Sequence, residues 1–130
     1  MNPESLRVLV VDDEPAIGRA LTIALQRDGY EALAAETTDV AIRQLRAAHW
    51  DLLVLDLRMP GMRGDAFYAL ATGIQPQLKY RTLFLTGDMT ERAEDLIGAC
   101  DCPMLLKPFD LVQVLDMLRR MAPRRLVVSG

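Results

Sequence analysis

The chain is poor in thiols and imidazoles. Among 130 residues it carries two cysteines, Cys100 and Cys102, and one histidine, His49. Two thiols fall short of the four ligands a structural zinc ion takes, and His49 lies far from them in sequence. Both cysteines are therefore expected as small core or loop residues, because free cysteine packs like a hydrophobe. His49 closes an amphipathic stretch before Trp50 and is expected at the surface or a helix end. No apolar run approaches the roughly 20 residues of a membrane-spanning helix. Met1-Asn2-Pro3-Glu4 has neither the basic nor the apolar region of a secretory signal. An excess of basic charge is missing as well: 15 lysines and arginines face 18 acidic residues, a net charge of −3, which leaves no general basic surface for nucleic acid. No G-x-x-x-x-G-K-[ST] run occurs, so a Walker-type nucleotidase is excluded. With 51% hydrophobic and 25% charged residues, the composition is globular rather than disordered. A single cytoplasmic domain with one independent core is expected, with no membrane contact.

Short apolar blocks alternate with segments of helical period. Val8-Leu9-Val10-Val11, Leu52-Leu53-Val54-Leu55, Leu83-Phe84-Leu85 and Met104-Leu105-Leu106 suit strands buried on both faces. Glu31 to Ala35 is more polar at its ends, as an edge strand would be. Between them, Pro15 opens a helix whose Ile17, Leu21, Ala24 and Leu25 share a face, and Gly29 stops it. Thr38 is placed to cap a helix facing inward through Ala41, Leu45 and Ala48. Phe67, Leu70, Ala71 and Ile74 form a third stripe that Pro76 ends. Thr90, Glu91, Glu94 and Asp95 suit the start of a fourth helix, with Ala93, Leu96, Ile97 and Cys100 as its stripe. Asp110 and Gln113 read as a capping box before Leu111, Val114, Leu115 and Leu118. Five strands alternating with five helices imply an α/β fold, a doubly wound five-stranded parallel sheet with right-handed crossovers. The domain is expected over residues 5–122, with 123–130 as a short tail. Arg119, Arg120, Arg124 and Arg125 there read as a solvated helix end.

In open parallel sheets, ligands bind beyond the carboxyl ends of the strands. The residues that follow the apolar blocks are Asp12-Asp13, Asp56, Thr86 and Lys107. Each alone would pass for a helix cap or solvated loop, but together they converge on one edge. Three crowded carboxylates raise one another's pKa, and a hard, oxygen-liganded divalent cation such as magnesium relieves the repulsion. Lys107 adds a positive charge for a carboxylate or a phosphoryl oxygen, and the Thr86 hydroxyl can donate to such an oxygen. The set suits phosphoryl transfer onto a carboxylate.

Over about residues 5 to 122 the sequence resembles the receiver domain of two-component response regulators. The resemblance rests on Asp12-Asp13, Asp56 followed by Met59-Pro60-Gly61, Thr86-Gly87 and Lys107-Pro108-Phe109, which are modest singly and highly specific in this order and spacing. It implies a flavodoxin-like sheet of order 2-1-3-4-5, a Lys107-Pro108 cis bond, and Asp56 as phosphoacceptor. Asp13, Asp56 and the main-chain carbonyl of Arg58 would bind Mg2+ directly, with Asp12 acting largely through a water. Thr86 and Lys107 would hold the new phosphoryl group. The implied partner is a histidine kinase or histidine phosphotransfer protein. The domain would be no enzyme beyond its own phosphorylation and dephosphorylation, would not itself bind nucleic acid, and would offer its fourth helix, fifth strand and fifth helix for homodimer pairing. It would stand alone or form a piece of a larger regulator or hybrid kinase, Met1 leaning toward a free N-terminus.

Two positions depart from the family. Met104 stands where receivers usually carry the Tyr or Phe that turns inward on activation. Arg58 and Asp88, two residues past the acceptor and two past the threonine, are opposite charges that would pair across the site mouth and lengthen the phosphorylated state. Among competing readings, a flavodoxin-like electron carrier conflicts with Asp12-Asp13-Glu14, which would repel a cofactor phosphate. A phospho-aspartate phosphatase needs an acid where Arg58 stands. The remaining alternative, prompted by Met104, is a receiver that binds partners independently of phosphorylation.

Overall fold

The apolar blocks become strands because a strand covered on both faces needs apolar side chains at successive positions. The computed structural model describes residues 5–87 and 102–123. Its strands are β1 (Arg7–Val11), β2 (Glu31–Ala35), β3 (Leu52–Asp56), β4 (Arg58–Met59), β5 (Met62–Arg63), β6 (Thr82–Thr86) and β7 (Met104–Leu106). The α-helices among the described residues are α1 (Pro15–Arg27), α2 (Thr38–Ala47), α3 (Gly64–Ile74) and α4 (Leu111–Met121), with a 3-10 segment at Pro76–Tyr80. The fourth helix expected from the sequence, around Thr90 to Cys100, lies outside the described residues.

Five strands form one parallel sheet in the order β2-β1-β3-β6-β7. Counting only these five, that is the anticipated 2-1-3-4-5 order, with the polar β2 at an edge. Successive side chains point to opposite faces, so each strand feeds two cores. Leu9, Val11, Leu53, Leu55 and Phe84 meet Ala41 and Leu45 of α2 and Phe67 and Ala71 of α3. Val8, Val10, Leu52, Val54, Leu83 and Leu85 meet Leu21 and Leu25 of α1 and Val114 and Leu118 of α4. Burying each Val, Leu or Phe side chain among them contributes about 1.5–3 kcal/mol, which ties the strand ends to the helices behind them.

The helix ends follow local chemistry. Gly29 adopts φ +95°, and the Tyr30 and Gly29 amides donate to the Leu25 and Gln26 carbonyls at 3.0 and 3.1 Å, the paired bonds of a Schellman stop. The cap of α2 is Thr37 rather than the anticipated Thr38. Thr37 has the extended backbone a cap needs, and its hydroxyl accepts from Val40 N–H at 3.1 Å, while Thr38 is buried in the first turn. The Asp110 amide donates to Gln113 Oε1 at 2.9 Å, as a capping box requires. Leu111 departs from its anticipated inward stripe: at the first position of α4 it is exposed, leaving Val114 and Leu118, with the partly buried Leu115, to make the core contact. The β4–β5 hairpin, paired Arg58 to Arg63 and Met59 to Met62, was not legible as strand, being too short for any periodicity. No helix among the described residues is long and apolar enough to cross a membrane.

Candidate functional site

The chain moves outward from β1 to β2 on one side and then crosses to β3 on the other, so a crevice opens at the carboxyl ends of β1 and β3. Parallel register sets the residues there level with one another. Val11 lies opposite Leu55, which brings Asp12, the next residue, beside Asp56 at the end of β3. Asp56 pairs with Leu85 and Thr86 with Leu106, so Thr86 and Lys107 arrive at the same edge. The Lys107 amide donates to the Thr86 carbonyl at 2.7 Å. The Lys107-Pro108 bond is cis.

Asp12 and Asp56 are buried and Asp13 is exposed. Two local amides fix the buried carboxylates: Glu14 N–H donates to Asp12 Oδ1 at 2.9 Å, and Arg58 N–H to Asp56 Oδ1 at 3.0 Å. The other oxygen of each faces Lys107. Its Nζ lies 3.0 Å from Asp12 Oδ2 and 3.0 Å from Asp56 Oδ2, with Glu14 Oε1 at 3.2 Å. Asp12, Asp13, Glu14 and Asp56 offer carboxylate oxygens that lie within 4.8 Å of one another. This is the chemistry of a hard cation site, since magnesium prefers carboxylate and carbonyl oxygen.

Charge and burial oppose each other here. Burial pushes Asp12 above the usual aspartate range, and the Asp56 charge adds to it, against the Glu14 amide and the Lys107 ammonium that pull it down. Burial works against the Lys107 ammonium too, but its hydrogen bonds to Asp12 and Asp56 and their charges outweigh it and hold Lys107 above the usual lysine range. A neutral Asp12 is thus more accessible than for a free carboxyl, whereas the lysine stays charged.

All the residues singled out from the sequence, Asp12, Asp13, Asp56, Arg58, Thr86 and Lys107, come to this edge. Asp88, the suggested partner of the exposed Arg58, lies outside the described residues. Met104 opens β7, half-buried, with Phe84 as its register partner. It packs against the same cluster as Tyr68, whose ring centroid is 5.3 Å from that of Phe84. Cys102 is buried in that cluster, as expected of a core thiol, and donates to the Lys79 carbonyl at 3.2 Å; Cys100 lies outside the described residues. His49 is exposed, near Asp51 at 3.1 Å. Glu14 was missed as a member of the site. Its adjacency to Asp12-Asp13 was the available signal, but Glu14 does not directly follow an apolar strand block, the position from which the other site residues were read.

The geometry has close counterparts. Residues 8–119 match the response regulator receiver domain family. The transcriptional regulatory protein BasR of Escherichia coli is 31% identical over 122 residues, 92% of this chain and 53% of BasR. The chain spans about half or less of the length of the curated relatives it matches. Among solved structures, the chemotaxis protein CheY4 of Vibrio cholerae superposes with TM-score 0.80 at 29% identity, covering 90% of this chain and 98% of that one. The response regulator TrrA of Thermotoga maritima, solved in complex with Mg(2+)-BeF, gives TM-score 0.76 at 28% identity, covering 89% and 98%. A family match across most of the chain and the shared five-stranded topology lead to one conclusion: this chain belongs to the response regulator receiver domain family of two-component systems.

Proposed function

We propose that Asp56 accepts a phosphoryl group from a phosphohistidine on a histidine kinase or histidine phosphotransfer protein, and that the modified domain changes which partner it binds. The observation that supports this most strongly is the Lys107 ammonium, held 3.0 Å from both Asp12 and Asp56 at the carboxyl edge of the sheet. In the transfer, an Asp56 carboxylate oxygen forms a bond to phosphorus as the phosphorus–nitrogen bond breaks. The electron pair of that bond leaves on the imidazole, which picks up a proton. Lys107 is placed to neutralise charge on the phosphoryl oxygens, and Thr86, at the end of the neighbouring strand, to donate to one of them. The Arg58 amide fixes the second Asp56 oxygen and so orients the first.

Asp13, Asp56 and the Arg58 carbonyl would hold Mg2+ directly, with Asp12 acting largely through a water, an oxygen-only donor set of the kind this ion prefers. The ion, when bound, neutralises carboxylate and phosphoryl charge. That TrrA was solved with magnesium and a fluoroberyllate supports the same reading for this chain. The receiver unit is proposed to span residues 5–122 of what is a stand-alone switch or a piece of a larger regulator.

Intact mass after incubation with acetyl phosphate, with and without magnesium, tests this. A single magnesium-dependent phosphoryl adduct, absent from Asp56→Asn, is expected. No adduct on the wild-type chain would leave the phosphorylation-independent interaction module as the better reading.

A further inference from the structure

Resting on the magnesium site proposed above, a second role for Lys107 follows from where its charge sits. The cluster that suits a divalent cation already holds a cation of its own. Lys107 Nζ lies 3.0 Å from Asp12 Oδ2, 3.0 Å from Asp56 Oδ2 and 3.2 Å from Glu14 Oε1. These are three of the four carboxylates whose oxygens lie within 4.8 Å of one another.

The ammonium is inserted among these groups rather than draped over the surface. The Lys107 side chain is 15% exposed and those of Asp12 and Asp56 are nearly or fully buried, so salt and water screen the charges little. The Lys107 amide is bonded to the Thr86 carbonyl at 2.7 Å, which keeps the residue at this edge. Magnesium needs the same charges: Asp56 belongs to its proposed direct donors and Asp12 acts through a water. A unit and a double charge confined to so small a cluster repel each other, and even in the dielectric of water this lowers affinity about tenfold.

We infer that Lys107 is an internal counter-ion that competes with magnesium: in the resting domain it balances the pocket and holds magnesium affinity down. The antagonism acts through charge on shared carboxylates and needs no steric exclusion. It is reciprocal by linkage, so magnesium loosens the hold of Asp12 and Asp56 on Lys107 as much as Lys107 weakens magnesium. A lysine loosened in this way is available to the phosphoryl oxygens whose charge it is proposed to neutralise.

Urea unfolding at increasing magnesium gives the dissociation constant from the rise in stability, for the wild type, Lys107→Gln and Lys107→Arg. Lys107→Gln is expected to start less stable, because Asp12 is left buried and unpaired, and to bind magnesium about tenfold more tightly. Lys107→Arg keeps the charge and is expected within about twofold of the wild type. Equal or weaker affinity in Lys107→Gln, or the same tightening in Lys107→Arg, would overturn the inference. Should Lys107→Gln not fold, the wild type alone decides. The chain has two lysines, Lys79 and Lys107, and the exposed Lys79 in the 3-10 segment serves as internal standard. Trace acetylation by acetic anhydride, read by peptide mass spectrometry, is expected to rise at Lys107 relative to Lys79 about twofold or more on saturation with magnesium. An unchanged or lower ratio would overturn the inference. A flat magnesium response in both the wild type and Lys107→Gln would strike the magnesium site itself, and this inference with it.

Discussion

The two edges of the sheet solve the problem of polar groups in opposite ways. At the amino edge, where Arg7 pairs with Glu31 and its amide donates to Asp51, neutral amides saturate one another. The buried Gln75 donates through Nε2 to the Leu45 and Ala48 carbonyls, at 2.6 Å each, and accepts from Trp50 N–H at 2.8 Å. Gln77 donates to Gln75 Oε1 at 2.7 Å and to the Trp50 carbonyl at 2.9 Å, and Trp50 Nε1 donates to the Gln44 carbonyl at 2.9 Å. This network ties the end of α2 to the segment after α3 and carries no net charge. At the carboxyl edge, four carboxylates are gathered about one ammonium. The first arrangement is what a fold needs to hold a corner shut. The second leaves negative charge in excess, so it costs stability and gains affinity for whatever neutralises it.

Substitutions at the two edges should therefore separate binding chemistry from stability. The largest effect is expected from Asp56→Asn, which abolishes phosphoryl uptake while leaving the urea midpoint of the metal-free chain unchanged or raised. Next is Gln75→Leu. It strands the Trp50 amide and the Leu45 and Ala48 carbonyls, so a loss of about 3 kcal/mol in unfolding free energy is expected, with the uptake rate of the folded chain retained. A Gln75→Leu chain that lost uptake while fully folded would break the comparison.

Gly64→Ala should fall between the edges. A Cβ there would lie 2.7 Å from Leu57 Cδ2 and 2.9 Å from its Cα, too close for either, and Leu57 follows Asp56 directly. A loss of about 1–3 kcal/mol is expected, together with slower uptake as Asp56 is displaced. Asp12 supplies a pH test. Its folded-state pKa is raised above the ordinary 3.8, so between the two values the folded chain holds more proton than the unfolded one. Stability of the metal-free domain from this group therefore falls as pH rises through that window, and the ionised Asp12 remains a cost above it. Urea titrations across mildly acidic pH should show this slope in the wild type and lose it in Asp12→Asn. The smallest effect is expected from Arg119→Ala. Arg119 meets Asp28 at 2.6 Å, but as an exposed pair it should barely move the melting temperature.

The contrast also accounts for what the sequence could reveal. The carboxyl edge was legible because each of its residues directly follows an apolar strand block, and parallel topology sends all such positions to one place. The buried faces of α1, α2 and α3 were legible through periodicity, whereas the sheet order came from the resemblance to receiver domains, supported by the polar ends of β2. The amino-edge network was not. Gln75 and Gln77 flank Pro76 in what reads as a helix-ending turn, and nothing local shows that an amide there reaches back some 30 residues to the Leu45 carbonyl. Thr37 and Thr38 are chemically alike, so only the backbone could decide which one caps. Glu14 was hidden because the contact is long-range: it follows no apolar block, and nothing local shows that its side chain meets Lys107, 93 positions away.

The most direct test of excess charge at the carboxyl edge is the urea unfolding free energy of the wild type against magnesium concentration. Ions that bind only the folded chain stabilise it by RT ln(1 + [Mg2+]/Kd). The stability should climb with magnesium in the wild type, climb by the same increment in Gln75→Leu from a lower start, and stay nearly flat in Asp56→Asn. A flat wild-type response, or an equal rise in Asp56→Asn, would contradict a carboxyl edge built to be neutralised by a cation.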